Sequence, residues 1–164
     1  MNLTANYRKA LLTTHIVSSV GWVGAILAYL VLDLVATFGQ DIGMVQAAFV
    51  AMGLIVLYCI VPLALASVLV GVLQALVTPW GLFRHYWVIG KLLLTLFATV
   101  VLLVETQAIN TMAAIATAGA DPRQLPGSLP HSIGGALVLL AILVLAIYKP
   151  KGLTRYGWRL QARR

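Results

Sequence analysis

At 164 residues the chain has room for a single domain, yet 62% of it is hydrophobic, 9% is charged and the mean hydropathy is +1.00. That composition excludes a soluble globular protein and leaves an integral membrane protein. The net charge of +7 reads as a signal of membrane topology and of contact with anionic lipid, with no nucleic-acid partner implied.

Four apolar runs are long enough to cross a bilayer as helices, which takes about 20 residues each. They are expected near residues 10–35, 46–77, 86–110 and 132–148, giving an all-α, four-helix transmembrane bundle over 1–148 and a basic tail over 149–164. Residues 1–9 form a short polar lead with Tyr7 at the interface. Arg8 and Lys9 precede an apolar run, as in a secretory signal, but the run exceeds the 7–15 residues of such a signal and no small-residue cleavage site follows. The first run is therefore taken as a retained span.

Within that span His15, Ser19, Trp22, Ile26, Tyr29 and Asp33 recur at helical spacing and project from one narrow face. A polar stripe inside hydrocarbon must face other helices of the same protein. Gly21 and Gly24 beside Trp22 allow close approach of a neighbour, and the short turn at 39–43 makes the first two helices antiparallel.

The second run is longer than a membrane requires and carries Pro62 near its middle, which predicts a bend. Gly53, Ser67, Gly71 and Gln74 fall in one sector and read as a helix-packing face. Cys59 is the only cysteine, so a disulfide framework and a thiolate metal cluster within one chain are both excluded. Residues 78–85 form a turn with Trp80 and Arg84 at headgroup level.

The third run repeats the layout of the first. Trp87, Lys91, Thr95, Thr99, Glu105 and Thr106 share a broad face, so a lysine and a glutamate bracket a line of threonines. Lys91 and His15 each lie about five residues past the start of their spans, hence at matching depths of roughly 7–9 Å. Residues 111–131 read as a helix extension and then an outer loop, the one loop with room for a lid. The last span is aliphatic and structural. The tail opens with a Pro–Gly break and sets basic and aromatic residues together, as suits anionic headgroups.

Arg8, Lys9, Arg84, Lys149, Lys151, Arg155, Arg159, Arg163 and Arg164 fall on one side of this topology and only Arg123 in the other loops. Both termini are accordingly expected in the cytoplasm.

The chemistry-bearing candidates follow. A neutral His15 imidazole can ligate haem iron or carry protons, against the plainer role of a hydrogen bond to the next helix. Lys91 suits an anionic ligand group or a proton-coupled role, against snorkelling to the headgroups. Trp22 and Tyr29 can stack on a flat cofactor, against the commoner role of core aromatics, and Ser19 and Thr95 complete the cofactor-binding candidates. Asp33 and Glu105 sit near the outer interface, where solvation is the expected state and an ion pathway shared with His131 the alternative. His85 belongs to the interfacial belt. Phosphate loops, zinc-type Cys–His spacing and GxSxG are absent from the sequence.

The tail YKPKGLTRYGWR, and nearly the whole length, resembles small four-span bacterial membrane proteins, common in actinobacteria, of a family without assigned function. More remotely, HIVSSVGW from His15 to Trp22, the W-x-x-x-K from Trp87 to Lys91, and an aliphatic last span ending in Lys149–Pro150 resemble the haem b-containing membrane protoporphyrinogen oxidase family. The resemblance implies His15 as axial haem ligand, Lys91 as its functional companion, and a bacterial plasma-membrane location. The first span here ends AYLVLDL, without the arginine and second histidine of that family, and Glu105 stands where a later histidine is expected. The sequence thus points to a multi-pass membrane protein binding haem b through His15, Lys91, Trp22, Ser19 and Thr95 for redox chemistry. The alternative is a non-enzymatic transporter, an ion pathway, or a subunit of a homo-oligomer or of a partner membrane protein.

Overall fold

The computed structural model describes residues 4–78 and 81–162. Trp80, Arg163 and Arg164, placed above at the headgroups and in the tail, lie outside the described residues. The fold is all-α, with four long apolar helices and no strand element among the described residues: α1 Ala5–Phe38, α2 Ile42–Val77, α3 Tyr86–Thr117 and α4 Leu129–Tyr148. A short α5, Arg155–Gln161, closes the chain. Each span runs past the boundaries read from hydropathy, α3 by seven residues to Thr117.

Local chemistry sets the ends. Asp41 caps α2 by accepting from the Gly43 N–H at 3.1 Å, satisfying one of the donors that a helix start leaves open. Thr78 is extended because the ring of Pro79 disfavours helical backbone just before it. Lys149 ends α4 with φ of 44°, in left-handed backbone, and Pro150 then prevents the helix from resuming.

The helices pack in the cyclic order α1–α2–α3–α4, so α1 and α3 face each other across the diagonal. The core is built from Trp22, Ile26, Tyr29, Met52, Ile60 and Ile109, among others. Side chains such as Val17, Val31, Leu69, Phe97, Val104 and Leu137 point outward. Their exposure suits lipid, which accepts apolar residues at any angle around the bundle.

Pro62 produces a wider turn as well as a bend. Residues Val56–Ile60 form a π-helical turn in which the Val61 N–H reaches back to the Val56 carbonyl. The extra residue gives room for the proline ring, which would otherwise press on the Tyr58 carbonyl four residues earlier. It also rotates the two halves of α2 against each other by about 100°. Gly53 therefore packs on α3, where a Cβ would lie 2.9 Å from that of Ala113, whereas Gly71 faces His15 on α1. The single packing face expected for Gly53, Ser67 and Gly71 is in fact two faces, one on each side of the π turn.

The short turns define a basal end, carrying residues 81–86 and the tail, and a distal end, carrying 39–41 and 118–128. The distal loop is fastened down: Gln46 Nε2 donates to the Ala120 carbonyl at 3.0 Å and Arg123 Nη1 to the Gly39 carbonyl at 3.1 Å. Arg123 also clasps Asp121, with Nη2 to Oδ2 at 2.8 Å, and these hydrogen bonds hold the Asp121 carboxyl below its usual range.

At the basal end the tail packs back on the loop before α3. Thr154 Oγ1 donates to the Phe83 carbonyl at 2.6 Å and its N–H to the Arg84 carbonyl at 2.9 Å, while His85 and Leu153 form an antiparallel bridge. Gly157 is buried directly against the Arg84 carbonyl, leaving no room for a Cβ. Tyr156 and Trp158 remain outward. Gly157→Ala should therefore loosen the tail at a cost of about 1–3 kcal/mol, the usual range for overpacking. Faster tryptic cleavage at Arg155 and Arg159, with the four spans intact, is the expected readout.

Candidate functional site

Residue counting placed His15 and Lys91 at matching depth, and the structure brings them together across the bundle diagonal. Lys91 Nζ lies 3.3 Å from His15 Nε2. Lys91 reaches inward from α3 because its long stem can cross apolar surface while its head seeks a polar partner. The imidazole is seated by Gly71 on α2, where a Cβ would come within 2.9 Å of the ring. Its buried Nδ1 has no hydrogen-bond partner among the described residues.

Around this pair lies a basal cavity of about 510 Å³ to which all four long helices contribute. His15, Ser19, Trp22, Lys91 and Thr95 all line it, together with Lys149. Ser19 and Ser67 share a 2.8 Å hydrogen bond that closes the α1–α2 side. The threonines do not form a polar wire along α3. Thr95 Oγ1 donates to the Lys91 carbonyl at 2.7 Å and Thr99 Oγ1 to the Thr95 carbonyl at 2.8 Å, so both hydroxyls are spent on their own helix. Trp22 is 3% exposed and its indole N–H has no partner.

The charge of the cavity is one-sided. Lys91 and Lys149 line it, Lys149 lies close enough for its charge to act on Lys91, and no carboxylate is among the lining residues. Lys149 and Gly71 are the residues that sequence reasoning missed. Lys149 was legible as a topology charge and as part of the Lys–Pro end of the last span, and Gly71 as part of a helix-packing face, but neither as lining this cavity.

A distal cavity of about 540 Å³ occupies the other half of the bundle. Tyr29, Glu105, His131 and Ser132 line it, and Trp22 and Leu139 form a wall common to both cavities. Glu105 Oε1 stands 3.5 Å from His131 Nε2, with the glutamate side chain 29% exposed. Asp33 corrects the expectation of a solvated carboxylate. It is 1% exposed, its Oδ1 accepting from Ser128 Oγ at 2.9 Å and its Oδ2 from Ser132 Oγ at 2.7 Å. Those serines sit at the start of α4, where the helix dipole favours an anion. His131 and His15 line different cavities, so one metal ion could not take both. His85 packs near Trp87, ring centroids 6.4 Å apart, at the basal interface.

No cluster of three or more His, Cys, Asp or Glu side chains able to hold a metal ion occurs among the described residues. A site at His15 would therefore depend on a metal that brings most of its own ligands.

The fold and the apolar exterior define a multi-pass α-helical membrane protein with two cavities that open to the bundle surface, one lined by lysines and the other by a glutamate. No protein-family model, curated protein or solved structure matches the chain.

Proposed function

We propose that the basal cavity binds haem b, with His15 as the axial ligand and Lys91 receiving an acidic group of the porphyrin. The observation that carries this reading is one histidine and one lysine lining a cavity of about 510 Å³, within the 300–1,000 Å³ typical of cofactor sites; Lys91 Nζ stands 3.3 Å from His15 Nε2, so its flexible stem would swing away to free that nitrogen for iron. A porphyrin supplies four nitrogens itself and needs a single imidazole from this chain, which suits a cavity with one histidine. Lys91 and Lys149 supply positive charge where carboxylates would lie, Trp22 offers a flat wall, and the apolar remainder excludes water. Bound haem would supply one-electron redox chemistry. The protein acts in the bacterial plasma membrane with both termini inside, and the exposed Arg155, Trp158 and Arg159 of the tail rest on anionic lipid.

Protein purified in detergent from a haem-replete host should show a Soret band. His15→Ala should abolish it, and Lys91→Ala should lower haem occupancy about tenfold, the lower end of what loss of a supporting residue does. Colourless, folded wild-type protein that takes up no added hemin overturns the reading.

A further inference from the structure

We propose that the distal cavity is a second and separate binding site, for a lipophilic organic cation, with Glu105 as its counter-ion and the buried Trp22 and Tyr29 as its aromatic walls. The inference is independent of haem binding, since it rests on the other cavity and on the opposite charge.

The lining decides the class of ligand. Tyr29, Glu105 and His131 are the ionisable residues that face this space, and neither lysine nor arginine is among the residues lining it. The rest is apolar, from side chains such as Ile26, Ile60 and Val138. Room comes from Gly134 and Gly135, where a Cβ would meet nothing within 4 Å. A bare metal ion does not suit such a space, because apolar walls cannot replace its hydration shell and no cluster of metal ligands is present among the described residues. An anion would face Glu105. A cation whose charge is spread over an apolar body sheds little hydration, gains attraction to a carboxylate in a low-dielectric surround, and meets aromatic faces that favour positive charge.

The neighbouring groups support the assignment of Glu105. Asp33 has both oxygens engaged by Ser128 and Ser132, so it adds negative potential without offering a free oxygen edge. Arg123, the basic residue of the distal loop, is clasped by Asp121. Glu105 is held only by His131 at 3.5 Å, and the His131 side chain is 53% exposed. Rotation of that imidazole outward frees the carboxylate.

The test uses full-length protein in nanodiscs, titrated with tetraphenylphosphonium and in parallel with uncharged triphenylphosphine, by equilibrium dialysis. Saturable binding of the cation is expected, weakened about tenfold or more by Glu105→Gln, which corresponds to about 1.4 kcal/mol. Glu105→Asp should retain binding and His131→Ala should tighten it by removing the competing imidazole, while Gly157→Ala, in the tail at the opposite end and lining neither cavity, should leave it unchanged. Equal affinity for the charged and uncharged probes, or binding indifferent to Glu105→Gln in a folded variant, overturns the proposal and marks the space as one filled by lipid chains.

Discussion

Replacing both Ser128 and Ser132 with alanine is expected to destabilise the bundle by about 3–5 kcal/mol, the range for leaving a buried charge without its partners. Asp33 is 1% exposed and each of its oxygens accepts one serine hydroxyl. The double variant would strand the carboxylate between α1 and α4 with only the helix dipole to stabilise it. Adding Asp33→Leu to that double variant should recover most of the loss, because an apolar group of similar size then fills the same space without desolvation cost. Thermal unfolding in detergent of the double and triple variants measures the reversal. Equal stability of the two would show that Asp33 is not the element fastening α4 to α1.

Lys91→Met is expected to act in the opposite sense, stabilising the ligand-free protein by about 1–2 kcal/mol while abolishing its capacity for an anionic ligand. Lys91 shares its cavity with Lys149 and with no carboxylate, so its charge is held in an apolar setting by a neutral imidazole alone. A methionine of similar length removes the unfavourable burial and keeps the packing. Stability gained together with lost occupancy is the mark of a residue retained for binding. A fall in melting temperature would mean that the 3.3 Å contact to His15 outweighs the cost of desolvation.

The four helices were legible because hydropathy reports burial in lipid directly. The matching depth of His15 and Lys91 was legible because rise per residue is fixed and apolarity begins about five residues before each, although α1 itself starts earlier, at Ala5. What escaped notice follows from what each signal lacks. The π turn at Val56–Ile60 leaves no trace in a stretch that is apolar all round, so Pro62 announced a bend but not the rotation that sends Gly53 and Gly71 to different neighbours. Asp33 lies near the end of its span, where a carboxylate reads as solvated, and its partners stand 95 and 99 residues further along. The tail reads as amphipathic, whereas its attachment depends on Thr154 finding the carbonyls of a loop some 70 residues before it.

Trp22 and Leu139 border both cavities, and this partition has a thermodynamic consequence. An occupant that turned the indole would change the shape of the chamber behind it, and the two affinities would be coupled through that motion alone. If filling one side alters binding on the other by some factor, filling the second alters the first by the same factor, whichever ligand arrives first. In that event one aromatic side chain of the four-helix bundle would serve as the shared mechanical coordinate.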